Sequence, residues 1–284
     1  MADLKIGKSM ADHDVLWRYV PLEGLINMLD SQSLHFSPLE AYQNTDPFEG
    51  YVPKVAMDAM ASISLNSQKL NLAAIDSLEK HIGAHTAPEK ISEFREAASQ
   101  LKKEMGDVVK KVAKCLTVNC WHRNQHESEA MWRLYSHSGV AIRTTVSAIR
   151  AALEMNKQSH IVHMGAIKYL DFADDSLSPA DCVTDDGQLF GMVKRIAYSH
   201  ENEVRLYITG SIDPKNYAAA SPEPISLDID AMILIDSLVI SPFASISMRK
   251  SIQSIAKKYG VASSKVIESP LLENCEYLFG SYND

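Results

Sequence analysis

The sequence predicts an α+β fold whose core is a mixed or antiparallel sheet with an inserted helical lobe. Three observations predict this class: the expected strands are short and unevenly spaced, the helices between them differ in length, and no internal repeat is visible. A regular succession of βαβ units, which builds a parallel sheet, would give more even spacing. A chain of 284 residues fits one large domain or two small ones, and we predict a single domain over residues 1–284.

The chain is expected to begin with a strand, a helix and a second strand. Val15–Val20 is short, aromatic and apolar, and Pro21 follows where the first turn of a helix accepts proline. Apolar residues then recur at helical spacing up to Leu29. Residues 34–37 form the second predicted strand. A loop rich in turn-forming residues follows at 44–50.

Residues 52–114 have a polar, helical pattern that is broken at Pro88. Apolar positions are sparse over 91–112, where Lys and Glu dominate, so we predict a helical lobe inserted over the core. A charged lobe of this kind is most often a solvated face, and a partner-binding role is the alternative.

The second half of the chain alternates strands and helices of varied length. The predicted strands are 116–121, 140–143, 161–172, 204–208 and 225–227, and the segment 233–240 is expected to end in a strand. The predicted helices are 127–135, 146–153, 189–197 and 245–259.

Composition limits the classes of partner. The net charge of −8 argues against broad binding to a phosphate backbone, which needs clustered Lys and Arg. The four cysteines lack the spacing of a zinc module, and no run of about 20 apolar residues is present. With no apolar run of signal length either, the sequence predicts a soluble, cytoplasmic protein with free thiols, no dedicated metal site and no membrane partner.

The densest group of chemically active residues lies between Trp121 and Tyr135. If a helix begins at Glu127, then Glu127, Met131 and Tyr135 share one face. A carboxylate on an apolar and aromatic face is costly to bury unless it is paired. Glu127 is therefore a candidate catalytic acid, and the alternative is a helix cap or a partner of a nearby arginine.

Two further acidic segments are candidates. Asp46 and Glu49 lie in one tight turn, where they bind either a ligand hydroxyl or a cation, or else stabilise their own backbone. In a strand that begins near Glu203, alternate residues face the same side, so Glu203 and Arg205 point together. The sequence leaves open whether Glu201 or Glu203 is the inward acid.

Arg18 stands between Trp17 and Tyr19 in the first predicted strand. Its planar guanidinium suits phosphate or carboxylate recognition, and burial requires an acidic partner or a ligand. The alternative is an internal ion pair with Glu203 or Glu127. Four aromatic residues are expected as walls of the same pocket: Trp17, Tyr19, Trp121 and Trp132. His122 and His126 are expected at the surface.

Several of these segments resemble the bacterial domain-of-unknown-function family 2971. The segments that carry the resemblance are 16–19, 25–29, 34–37, 46–49, Trp121, 127–128, 131–132, Tyr135, 139–142, 201–205 and 239–242. One departure is Thr45, which separates Asn44 from Asp46. The activity of that family is not established, so this resemblance implies a grouping and no reaction.

The order of elements also resembles the ADP-ribosyltransferase superfamily. That resemblance implies that Arg18 contacts NAD, that Ser37 supports the pocket, and that Glu203 stabilises the positive charge that grows as the glycosidic bond breaks. With Glu127 as a second catalytic candidate, the predicted NAD-contacting residues are Arg18, Tyr19, Ser37, Asp46, Trp121, Trp132, Tyr135 and Arg205.

Three functions follow as hypotheses. The first is an NAD-consuming transferase that modifies a protein or nucleic acid, as a toxin or phage-defence effector. The second is a non-catalytic module of a defence or regulatory system that binds a nucleotide in this pocket and a protein partner through the helical lobe. The third is a metal-dependent nuclease or nucleotide hydrolase that uses Asp46, Glu49 and Glu127.

Overall fold

The computed structural model describes residues 3–82, 92–93, 115–154, 156–210 and 223–273. Helices pack against a central sheet of ten strands, and two further strands form a small separate sheet. This arrangement confirms the predicted α+β class with a mixed sheet.

The boundaries of the elements are as follows. The strands are β1 Asp3–Ile6, β2 Val15–Val20, β3 Ser33–Pro38, β4 Leu116–Arg123, β5 Val140–Thr145, β6 Ile161–Ala166, β7 Lys168–Leu170, β8 Val193–Arg195, β9 Glu203–Thr209, β10 Ile225–Asp228, β11 Ser237–Ile240 and β12 Val266–Glu268. The α-helices are α1 Leu22–Ser31, α2 Lys54–Ile82, α3 Glu129–Tyr135, α4 Val146–Leu153, α5 Ala231–Leu234 and α6 Ile246–Lys258. Short 3-10 helices span Leu39–Asn44, Pro179–Cys182, Ile196–Glu201, Ser263–Lys265 and Pro270–Leu272.

The main sheet runs in the order β1-β6-β9-β4-β2-β5-β11-β12. The outermost pairs, β1 with β6 and β11 with β12, are parallel. The inner pairs are antiparallel. Strand β3 also pairs with β4 and continues to β10, so the sheet branches at β4.

The branch is a fork along one edge of β4. One end of that edge pairs with β2 at Leu16 and Trp17, and the other end pairs with β3 at Ser37 and Pro38. A side chain also joins β4 to β3: Asn119 Nδ2 donates to the backbone carbonyl of His35 at 2.8 Å. Arg18 is the first residue of β2 beyond its pairing with β4, so its side chain lies where the strands separate.

The two faces of the sheet differ in chemistry. Val204, Leu206 and Ile208 of β9 enter the main apolar core together with Trp121 of β4. Helices α1, α4 and α6 cover this core with Leu25, Leu29, Ile149 and Ile252. Because side chains alternate along a strand, the residues between them point to the opposite face. That face of β9 carries Glu203 and Arg205 instead.

Two predicted elements are wrong. The helix expected over 189–197 is replaced by strand β8 and the start of a 3-10 helix at Ile196. Gly191 has a positive φ of 68° that breaks helical geometry, and β8 pairs with β7. The long strand expected over 161–172 is two strands, because Ile167 bonds to the carbonyl of Glu203 whereas Lys168 bonds to the carbonyl of Met192.

The inserted lobe is described only in part. Its first element is the helix α2, Lys54–Ile82. Most of the predicted lobe, including the expected break at Pro88, lies outside the described residues. Within the part of the chain that the structure describes, no helix combines the length and apolar character needed to cross a membrane.

Candidate functional site

A cavity of about 620 Å³ opens on the polar face of the sheet. Its volume falls within the range of small-molecule sites, roughly 300–1,000 Å³. Strands β2, β4, β8 and β9, helix α3 and the loop at 44–50 all contribute to its walls. The residues that matter for its chemistry are Arg18, Tyr42, Tyr135, Lys194, Glu201, Glu203 and Arg205.

Lys194 is the centre of a buried acidic cluster. Its Nζ lies 2.6 Å from Glu201, 3.2 Å from Glu203 and 3.7 Å from Glu49. Lys194 is 9% exposed and the three acids are each at most 6% exposed. One ammonium therefore holds together carboxylates from the loop, the 3-10 helix and β9.

Arg205 is the second buried cation of the cluster and contacts two of its acids. Its Nη2 lies 2.8 Å from Glu203, and its Nη1 donates to Glu49 at 3.0 Å and to the carbonyl of Gly191 at 2.5 Å. Gly191 itself packs tightly, since a Cβ on it would lie 2.5 Å from Leu116. The prediction that Glu203 and Arg205 face the same side is confirmed.

The ion pairs keep Glu203 and Lys194 charged. Burial alone would raise the pKa of Glu203, but the adjacent Arg205 and Lys194 outweigh it and lower that pKa to about 2. Burial opposes the charge of Lys194 as well, but Glu203, Glu201 and Glu49 raise its pKa above the ordinary value. Because it stays ionised near neutral pH, Glu203 acts there as a negative charge and hydrogen-bond acceptor, not as a general acid.

Arg18 differs from the other cations of the cavity. Among the described residues it makes no ion pair, so the internal pairs with Glu203 or Glu127 considered above are absent. Its guanidinium lies 5.9 Å from the centre of the Trp121 ring, and burial lowers its pKa. Removal of this cation from water is costly unless a partner of opposite charge compensates for it.

Both Glu201 and Glu203 line the cavity. Glu201 ends the 3-10 helix, Glu203 begins β9, and Asn202 between them adopts left-handed geometry with φ 41° and ψ 52°. Its amide donates to the carbonyl of Arg123, which fixes the turn. A continuous strand would have placed residues 201 and 203 on one face as well, but this turn brings Glu201 toward Lys194 from the side.

The two acids of the loop at 44–50 differ in their contacts: Asp46 stabilises its own turn, and Glu49 contacts the buried cations. Asp46 Oδ1 accepts from the backbone N–H of Phe48 at 3.0 Å and from Arg195 at 2.6 Å. Asp46 thus stabilises its own turn and anchors it to the residue after Lys194. Glu49 instead extends into the charged cluster. Both acids line the cavity.

Tyr135 and His122 connect the cluster to the cavity wall. Tyr135 is 44% exposed, and its hydroxyl donates to Glu201 Oε1 at 2.8 Å. His122 Nδ1 lies 2.8 Å from the carbonyl oxygen of Glu201; since a carbonyl only accepts, Nδ1 carries the proton. The surface position predicted for His122 is wrong, because this residue is 8% exposed.

Glu127 does not line the cavity. It precedes Ser128, the N-cap of α3, so it does not share a helical face with Met131 and Tyr135 as predicted. Its Oε2 accepts from Trp132 Nε1 and from Ser269 Oγ, each at 2.7 Å. Glu127 is therefore a structural carboxylate held by two neutral donors. It neither caps the helix, since Ser128 is the N-cap, nor pairs with an arginine among the described residues.

Most of the predicted aromatic walls are structural. Trp121 is fully buried in the main core, and its indole N–H donates to Asn119. Trp132 packs edge-on against Tyr19 with ring centroids 4.8 Å apart. Of the four aromatic residues named from the sequence, only Tyr19 lines the cavity, beside Tyr42 and Tyr135. Ser37 does not line the cavity; it pairs with Val118 of β4 at the end of β3.

Sequence reasoning missed Lys194 and Tyr42 and gave Glu201 no assigned role. The signal for Lys194 was weak, since it occupies a three-residue strand. Within the described residues, no group of three or more His, Cys, Asp or Glu is arranged to hold a metal ion. The acids named for the hydrolase hypothesis are separated, since Asp46 and Glu49 line the cavity and Glu127 does not.

Comparison of the chain with family models, with curated proteins and with solved structures finds no match. The two resemblances inferred from the sequence therefore stay predictions, and the function is argued from the geometry of the cavity.

Proposed function

We propose that this cavity binds NAD and that the protein is an ADP-ribosyltransferase-like enzyme that modifies a macromolecule. One observation carries the proposal: an arginine that has no acidic partner among the described residues and a pair of carboxylates line the same cavity, which is large enough for part of a dinucleotide. Arg18 supplies a site for the diphosphate, and Glu201 and Glu203 supply negative charge elsewhere on the wall.

The charge distribution suits cleavage of a glycosidic bond. As the bond between the ribose C1′ and the nicotinamide nitrogen breaks, its electron pair leaves with nicotinamide and positive charge grows on the ribose. A fixed carboxylate stabilises that charge more strongly in a partly buried site than in water. A nucleophile of the target then forms the new bond to C1′ and releases its proton.

The test is incubation of the purified protein with NAD labelled in the adenosine part. We expect release of nicotinamide and, with a competent target, transfer of the label. Arg18→Ala should weaken NAD binding by about 10- to 100-fold, as expected for the loss of a hydrogen bond to a charged group. Arg249→Ala is the matched control. Arg249 lies on α6, pairs with Glu268 of β12 and does not line the cavity.

Binding that is equal in wild type and Arg18→Ala would refute the anion site. Absence of nicotinamide release, together with normal NAD binding, would refute the transferase and support a second candidate, a non-catalytic nucleotide-binding module. One observation favours that second candidate: each of the three cluster acids already contacts a cation, which reduces the negative charge offered to a ligand.

A further inference from the structure

We infer that Glu201, not Glu203, is the carboxylate that contacts the ligand, and that Glu203 is a positioning residue. This inference rests on the proposed function, because it assigns the roles of two acids within the same cavity. It follows from the hydrogen bonds that each carboxylate already makes.

The carboxylate of Glu203 is largely occupied. An ionised carboxylate offers about four acceptor sites. Oε1 of Glu203 takes the Nε of Arg205 at 2.9 Å and lies 2.8 Å from its Nη2. Oε2 takes Lys194 at 3.2 Å. Buried cations therefore take three of these sites, and Glu203 itself is only 3% exposed.

The carboxylate of Glu201 has acceptor sites to spare. Oε1 accepts from the Tyr135 hydroxyl at 2.8 Å and Oε2 accepts from Lys194 at 2.6 Å. About two sites remain for a ligand hydroxyl. Burial and the neighbouring Glu201 raise the pKa of Tyr135, so its hydroxyl stays a donor to Glu201 at neutral pH.

Position separates Glu201 from Glu49, the other acid with a free site. Glu49 accepts from Arg205 at 3.0 Å, and Arg205 is only 2% exposed. Glu201 is the most exposed of the three acids, at 6%, and its partner Tyr135 is 44% exposed at the cavity mouth. A ligand that enters past Tyr135 therefore meets Glu201 first.

The roles of the other acids then follow. Glu203 and Glu49 pair with Arg205, and both also contact Lys194. These contacts fix the position of the Lys194 ammonium, which in turn binds Glu201. Glu201 contacts the ribose and stabilises the charge that develops there, whereas Glu203 acts through Lys194.

The experiment compares Glu201→Gln, Glu203→Gln and Glu49→Gln by calorimetric NAD binding and by kcat and KM for nicotinamide release. We expect Glu201→Gln to lower kcat by about 100-fold or more, the loss typical of a group that stabilises developing charge. We expect Glu203→Gln and Glu49→Gln to lower kcat by less than about tenfold with KM unchanged, and Glu203→Asp, which keeps the charge, to recover most of that loss.

A larger kcat loss for Glu203→Gln or Glu49→Gln than for Glu201→Gln would overturn the inference. If Glu201→Gln does not fold, Tyr135→Phe decides: removal of one donor to Glu201 should lower kcat by about tenfold without changing KM, and an unchanged kcat would refute the assignment.

Failure of the transferase proposal is separable from failure of this inference. If wild type binds NAD without releasing nicotinamide, the roles are tested by binding alone. Glu201→Gln should then weaken NAD binding by about tenfold, and Glu203→Gln by less than about threefold. Equal effects would overturn the inference, as would a wild-type protein that does not bind NAD.

Discussion

The two faces of β9 are stabilised by different forces. One face buries Val204, Leu206 and Ile208 in the apolar core, where stability grows with the apolar area removed from water. The other face buries Glu203 and Arg205 at 3% and 2% exposure, where removal from water is unfavourable and only mutual pairing compensates for it. The charged face therefore contributes less to the stability of the sheet than the apolar face does, and its role is to form the wall of the cavity.

The largest effect is expected for Arg205→Met. This change leaves Glu203 and Glu49 buried with Lys194 as their only cation, and removal of one partner from a buried ion pair typically costs about 3–5 kcal/mol. Urea unfolding of the variant near neutral pH measures the loss. Arg150→Ala, which breaks an exposed pair with Asp12, should change stability by less than about 1 kcal/mol.

Leu206→Ala sharpens the contrast, because it alters the next residue on the opposite face. Leu206 is fully buried, and its truncation should cost about 2–5 kcal/mol. The pH dependence distinguishes the two variants. Protonation relieves the unpaired carboxylates of Arg205→Met, so its deficit relative to wild type should shrink as pH falls, whereas the Leu206→Ala deficit stays constant. Parallel deficits would show that Arg205 contributes by packing alone.

Acid sensitivity is the next effect in size. The pKa of Glu203 is about 2 in the folded protein against an ordinary 4.5. Because the folded pKa is depressed, its stabilising contribution is complete above pH 4.5 and is lost as pH falls toward about 2. The contribution is on the order of 3 kcal/mol. Unfolding free energies at about pH 6 and about pH 3 should therefore differ less for Glu203→Gln than for wild type, and an equal difference contradicts the assignment.

The alternation of side chains along a strand is the predictable feature of this sheet. Along β9 it predicts that Glu203 and Arg205 share a side, but it does not predict what they contact. The opening strand, helix and strand were also predicted, because Pro21 and the spacing of Leu25 and Leu29 are local signals. Such patterns depend on a few neighbouring residues and therefore survive without knowledge of the whole fold.

The charged face depends on contacts that no local pattern encodes. Lys194 sits in a strand of three residues paired with β7, and its segment has enough apolar residues to suggest a helix. The place of Arg18 is set by the fork between β2 and β3, which is a property of long-range register. Glu201 is directed by one left-handed residue, Asn202. Long-range pairing and single backbone angles are the features that sequence periodicity does not report.

The smallest effect is expected for Glu127→Gln. This variant tests whether Glu127 lies outside the charged cavity, as its contacts indicate. Glu127 accepts from Trp132 and Ser269 outside the cavity, and a glutamine keeps one acceptor oxygen for these donors. The loss of charge at these hydrogen bonds should lower the unfolding free energy by about 1 kcal/mol. NAD binding and nicotinamide release should match wild type, because the carboxylate does not reach the ligand. Calorimetry and urea unfolding on the same preparation check both expectations. A variant that keeps its stability and loses turnover would return Glu127 to the catalytic site that the sequence first suggested.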